Sequence, residues 1–112
     1  GSSGYSAKIG SSGDYAQIGS SGYSAQIGSS GNDAQIGSSG NDAQIQAKGV
    51  NAVIAITGSG RVKAGENGVI AIRWFDEQTD RNRIAVGYVG EDLKADTWYE
   101  VNSQGEFVEV TK

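Results

Sequence analysis

Isoleucine returns every nine residues along the first half of the chain, at Ile9, Ile18, Ile27, Ile36, Ile45 and Ile54. Alanine stands two positions earlier, at Ala7, Ala16, Ala25, Ala34 and Ala43. A spacing of two puts both side chains on one side of an extended strand. Polar stretches separate these pairs, and the repeating unit reads G-S-S-G-x-x-A-x-I, with five copies over residues 1–45. The G-S-S-G tetrad is turn chemistry: glycine is free to take a positive φ, and serine can bond local backbone. A flexible Gly/Ser linker has no reason to hold Ala and Ile at fixed phase. Strand and turn alternating every nine residues predict an all-β fold, a parallel β-solenoid.

Three degenerate copies continue the phase over 46–54, 55–63 and 64–72. Position 4 then reads Gly4, Gly13, Gly22, Gly31, Gly40, Gly49 and Gly58, followed by Asn67. Position 9 reads Ile from Ile9 to Ile54, then Lys63 and Ile72. Closure sets the coil size. A four-residue strand spans about 13 Å, and one nonapeptide cannot close around two inward side chains. Two nonapeptides give about 18 residues and two facing strands per coil; three would give a 27-residue triangle. Ile facing Ile fills a slot about 10 Å thick, the spacing of packed sheets, which favours two. Eight copies then make four coils. Stacking places Gln26 on Gln44, Gln17 on Gln35, and Tyr5 on Tyr23, and such ladders stabilise parallel stacks.

After Ile45 the outward positions turn apolar, at Val50, Val53, Val62, Val69 and Ala71. Apolar residues on both sides of a strand predict that both sides are covered. The expected cover is the rest of the chain. It reads as a strand Val69–Phe75, a polar turn Thr79–Asn82, a strand Arg83–Val89 and a loop or single helical turn Glu91–Asp96. A hairpin pairing Trp98–Val101 with Glu106–Val110 follows. Both Trp, both Phe and two of the five Tyr lie in 73–112. Trp74 or Phe75, with Trp98 and Phe107, are expected to bury against the outer face of Val50, Val53, Val62 and Val69. The chain thus divides into a solenoid, 1–72, and a capping segment, 73–112, in one structural unit.

The G-S-S-G-x-x-A-x-I array is followed here by Lys94-Ala95-Asp96-Thr97-Trp98-Tyr99, then Gly105, Phe107, Val108 and Glu109. This combination resembles uncharacterised repeat proteins of bacteria and their phages, over essentially the whole chain. The resemblance implies a β-solenoid with a C-terminal cap and no catalytic residues. The chain departs from that pattern in carrying only eight copies and no obvious N-terminal cap, as expected of a trimmed or engineered form.

Composition narrows the chemistry. The chain has 112 residues with no Cys, His, Pro or Met. It therefore has no disulfide, no thiolate metal site and no histidine base. Nine Lys+Arg against thirteen Asp+Glu give a net charge of −4, with no basic patch for a nucleic acid. The longest apolar run, Ala52 to Ile56, is five residues, far below the roughly 18 that span a bilayer. Neither a nucleic acid nor a membrane is an expected partner. Sugar-cleaving β-helices use paired carboxylates, but the regular copies hold only Asp14, Asp33 and Asp42. Asp76, Glu77, Asp80, Glu91, Asp92 and Asp96 are interspersed with Arg and Lys, as on a solvated face. No enzyme and no cofactor is expected.

The remaining reading is a structural or binding module, a rigid rod for display, adhesion or self-assembly. One alternative is a calcium β-roll. GSSGNDAQI shares two Gly and an Asp, here Asp33 or Asp42, with the RTX nonapeptide. Its apolar residue is displaced by one position, and two Asp on opposite sheets cannot supply six to eight hard oxygens. No metal site is therefore assigned. An ice- or glycan-binding surface is the other alternative, although no Thr rank runs through the regular copies. Tyr5, Tyr15 and Tyr23 are the candidate contacts for a surface receptor or glycan. Gly1 opens directly on a complete repeat, so Ile9 and Ile18 are the candidate residues for self-association through the first coil into a dimer.

Overall fold

The recurring strand is the tetrapeptide Gln-Ile-Gly-Ser. In the computed structural model, which describes residues 8–20, 23, 24 and 26–110, it forms β2 (Gln17–Ser20), β3 (Gln26–Ser29) and β4 (Gln35–Ser38). Its variants form β1 (Lys8–Ser11), β5 (Ala43–Ala47), β6 (Val53–Ile56) and β7 (Gly60–Ala64). The chain continues through β8 (Val69–Asp76), β9 (Arg81–Tyr88), β10 (Trp98–Val101) and β11 (Phe107–Glu109). The described residues contain no helix.

β1, β3, β5 and β7 stack in parallel in one sheet, here sheet B, and β2, β4, β6 and β8 do so in the facing sheet A. Ile9 pairs with Ile27 and Ile27 with Ile45; Ile18 pairs with Ile36 and Ile36 with Ile54. This is the expected solenoid of about 18 residues per coil. It makes about three turns rather than four. The Gln ladders form as expected, Gln26 on Gln44 and Gln17 on Gln35. Tyr5 lies outside the described residues.

The nine-residue phase does not persist to residue 72. Ile45 pairs with Val62 and Ile54 with Ile70, so these two steps fall one and two residues short of eighteen. Lys63 therefore sits outside the core, with its amine 5.8 Å from the centre of the Trp98 ring. Asn67 does not replace a position-4 glycine. It takes φ 59° and fills the same corner as Asn51.

The left-handed residues of the corners are not glycines. They are Tyr15, Ser24, Asp33, Asp42, Asn51 and Asn67, all at position 6 by structure. Asn and Asp tolerate this conformation best among side-chain-bearing residues. The position-4 glycines serve a different end. A Cβ on Gly49 would lie 2.1 Å from the Gly31 carbonyl oxygen, because the corners stack backbone on backbone. Side chains knit the corners as well: Asp14 Oδ1 accepts the Asn32 N–H, and Asn32 Oδ1 accepts the Val50 N–H, each at 2.9 Å.

The core is one position wider than the Ala–Ile pairs predict. Ile18, Ile27, Ile36, Ile45, Ala34 and Ala43 are buried, and Ile9 is half-buried against them. Ala7 and Ala25 lie outside the described residues. The serines two residues after Ile27 and Ile36 also point inward. Ser29 and Ser38 are buried, and their hydroxyls have no hydrogen-bond partner. In the last rungs the same column holds Ala47 and Ala64 on sheet B and Ile56 and Ile72 on sheet A.

The C-terminal segment closes the solenoid differently from expectation. It does not lie over the outer face; it adds strands to the ends of the sheets. β9 pairs antiparallel with β8, and β10 pairs antiparallel with β7 and then with β11. An antiparallel strand satisfies the last parallel edge while Val89, Leu93 and Tyr99 plug the open core. Tyr99 meets Phe107 edge-on at 6.2 Å, and its hydroxyl accepts the Lys94 N–H. Gly105 lets Trp74 lie on the β10–β11 turn; a Cβ there would sit 2.4 Å from the indole. Val62 points into the core, while Val53 stays 45% exposed.

Candidate functional surface

Two flat outer faces and two ends result, and they differ in chemistry. On sheet B, pairing aligns Lys8, Gln26, Gln44 and Arg61 in one row, and Gly10, Gly28, Gln46, Lys63 and Trp98 in the next. Arg61 forms an ion pair with Glu100 at 3.1 Å, and Lys94 with Glu109 at 3.2 Å. This face is polar and charged.

Sheet A presents the opposite character. One outer row runs Gln17, Gln35, Val53, Val69, Tyr88, and the next runs Gly19, Gly37, Ala55, Ala71, Val86. No charge occurs in either. Val53, Val86 and Tyr88 are each nearly half exposed, and Ile84 beside them is 55% exposed. Contiguous exposed apolar surface of this kind marks contact sites. The signal was present in the sequence, since apolar residues occupy both faces of Val69–Ala71 and recur at Ile84, Val86 and Tyr88.

The tyrosines do not gather. Tyr15, 74% exposed, lies in the corner before β2, and Tyr23, 49% exposed, lies in the corner before β3. These corners are at opposite edges of the coil. Asp33 and Asp42 are likewise on opposite corners, before β4 and β5. No three acidic residues cluster as a cation cage among the described residues. Asp14 is occupied as a backbone acceptor. Asp76 closes the β8–β9 turn, accepting from the Thr79 hydroxyl, Arg83 Nε and the Gln78 N–H. The Thr79 hydroxyl, with help from Arg83 and Gln78, holds its carboxyl below the ordinary value.

A recess of about 800 Å³ follows the corner where sheet A turns into sheet B. Gln44, Arg61, Glu100, Asn102, Trp74 and Phe75 are among its lining residues. No helix is long and apolar enough to cross a membrane. No protein-family model, curated protein or solved structure matches the chain.

Proposed function

We propose that the chain is a non-catalytic structural repeat module, a short rigid rod that presents surfaces and joins to other copies. The asymmetry of its two ends carries this reading. One end finishes in antiparallel strands over a plugged core. At the other, β1 and β2 are terminal strands in their sheets, each paired on one side among the described residues. Such strands offer rows of N–H and C=O groups to another edge, and a two-fold pairing would close them. Ile9, half-buried beside this edge, and Ile18 would join their core to that of the second copy. The rod requires no metal, cofactor or catalytic group. Light scattering of the intact chain against Ile9→Lys tests the pairing. The expected result is self-association that Ile9→Lys reduces while circular dichroism keeps its β signal. A strict monomer at all concentrations refutes it.

A second reading is favoured by the corner recess, whose lining combines planar hydrogen-bonding side chains with Trp74 and Phe75. That pairing of aromatic faces with amide, carboxylate and guanidinium groups suits a glycan. A glycan screen should then show binding that Trp74→Ala and Arg61→Ala weaken; equal binding by both variants sinks this reading.

A further inference from the structure

β9 is an eight-residue strand with a neighbour on one side only among the described residues. Its hydrogen-bonding direction can be read from its end. The Tyr88 N–H donates to Asp92 Oδ1, and the Tyr88 carbonyl accepts the N–H groups of Glu91, Asp92 and Leu93. Tyr88 therefore points its backbone away from β8. Its neighbour Val89 points toward β8, donating to the Gly68 carbonyl at 2.9 Å. Backbone direction alternates along an antiparallel strand. Asn82, Ile84 and Val86 consequently aim their N–H and C=O groups at the open edge, where no described residue meets them. Tyr88 is already satisfied by its own loop.

We propose that this edge pairs with the same edge of a second copy, antiparallel about a two-fold axis through Ile84. That register sets Ile84 opposite Ile84 of the second copy, and Asn82 opposite Val86. All three open residues on each chain then exchange both bonds, forming six hydrogen bonds, and sheet A becomes one ten-stranded sheet. Sliding the register by two residues one way would use the Tyr88 groups, which are taken, and the other way would set Val86 opposite Asp80, a turn residue at φ 55° outside the strand. Charge permits the pairing. Arg83 falls opposite Ala85 and is already paired with Asp76 at 2.7 Å. Ile84 to Tyr88 carry no charge, proline or other guard that natural edges use against pairing. The outer side chains benefit too: Ile84 gains its symmetry mate, and Val86 gains Asn82 with Phe75 beside it. Ile84 lies opposite Arg73, the first residue of β8 beyond the corner at which β6 turns into β7.

The intact chain allows a direct test. Light scattering across the micromolar range should show a concentration-dependent dimer in Ile9→Lys, where this edge acts alone, and association at least as far in the intact chain. Ile84→Pro removes one outward N–H per chain and leaves the ladder to β8 intact, because proline is tolerated where the N–H faces away from the sheet. Losing two of six bonds should weaken the dimer roughly ten- to a hundredfold with unchanged circular dichroism. A second measurement does not depend on proline. The chain has no cysteine, and paired residues at this point lie about 5.5 Å apart, within disulfide range. Ile84→Cys should form a disulfide-linked dimer on mild oxidation, and Val53→Cys on the same face should not. Three outcomes overturn the proposal. One is a monomer throughout. Another is cross-linking through Val53→Cys as fast as through Ile84→Cys. The third is a dimer that Ile9→Lys abolishes and Ile84→Pro leaves untouched.

Discussion

The rungs built from perfect repeats and those built from degenerate ones share a backbone but not a core. In the perfect copies the third inward position is serine, and Ser29 and Ser38 are buried there without a hydrogen-bond partner. In the degenerate copies the same columns hold Ala47, Ala64, Ile56 and Ile72. Ile54, Ile56 and Ile70 are fully enclosed, while Ile18 is at the margin of burial and Ile9 only half-buried. Each fully buried Ile contributes about 1.5–3 kcal/mol, whereas a stranded hydroxyl costs about 1–3 kcal/mol. The irregular end is therefore the better-built end. Strict repetition records what a rung needs in order to stack; departures from it record where the core is strengthened.

The two glycines within one repeat sharpen that contrast, and they should give the largest effect. Position 4 is still glycine in the degenerate copy at Gly49, where a Cβ would strike the Gly31 carbonyl. Position 1 is open: a Cβ on Gly37 meets nothing within 4 Å, and the equivalent residues above it are Ala55 and Ala71. Gly49→Ala should cost about 3 kcal/mol or more, because two backbones must separate. Gly37→Ala should be stabilising by about 0.4–1 kcal/mol through the unfolded chain. Urea unfolding of both variants decides the matter. Equal effects would mean that corner stacking is not the constraint.

Much of this was legible in the sequence, and the misses have physical causes. The Ala-x-Ile spacing and the closure argument gave the solenoid, its coil size and the Gln ladders. Glycine's freedom at positive φ was assigned to the wrong residue. Clearance between stacked coils is a long-range demand, invisible in a single repeat, and it claims the position-4 glycines. The left-handed corner falls instead to Tyr15, Asp33 and their equivalents. The phase slips at Val62 and Ile70 because pairing follows side-chain burial, so corners shorten where the count of nine does not. The cap was misplaced for a related reason. Apolar residues on both faces of Val69–Ala71 were read as covered, but an unpaired edge competes for the same cover, and backbone pairing won. The candidate surface was hidden by that inference, since Val53 and Val69 were assumed to lie beneath the cap and Ile84 and Val86 were counted as part of it.

The buried serines give the next effect. Ser29→Ala and Ser38→Ala each remove a hydroxyl with no partner and leave a methyl of similar size among Ile side chains. Ala already occupies the Ser29 column at Ala47 and Ala64. Each substitution should raise stability by about 1 kcal/mol, a rise of roughly 4 °C in Tm for a chain of this size. Introducing the change in both sheets should add, because the two residues lie on different strands and share no bond. A loss of stability would show that each hydroxyl is satisfied in solution, and the difference between perfect and degenerate rungs would shrink to Ile56 and Ile72 alone.

The smallest effect separates the coil corners from the turn of the cap. The corners are tied to the next coil, as Asp14 is to the Asn32 N–H. The β8–β9 turn is tied to itself: Asp76 accepts from Thr79, Arg83 and Gln78. Its carboxyl is held below the ordinary value of 3.8, chiefly by the Thr79 hydroxyl. A carboxyl with a lowered folded value stabilises the fold when ionised. That contribution is fully present above 3.8 and is lost as the pH falls below it, through the folded value. Because Asp76 stands near solvent and screening weakens exposed pairs, the effect on Tm should be small. Asp76→Asn should lower Tm slightly at about pH 7, and the difference from the parent should shrink as the pH falls below 3.8. A difference that persists undiminished in acid would mean that Asp76 acts through shape alone.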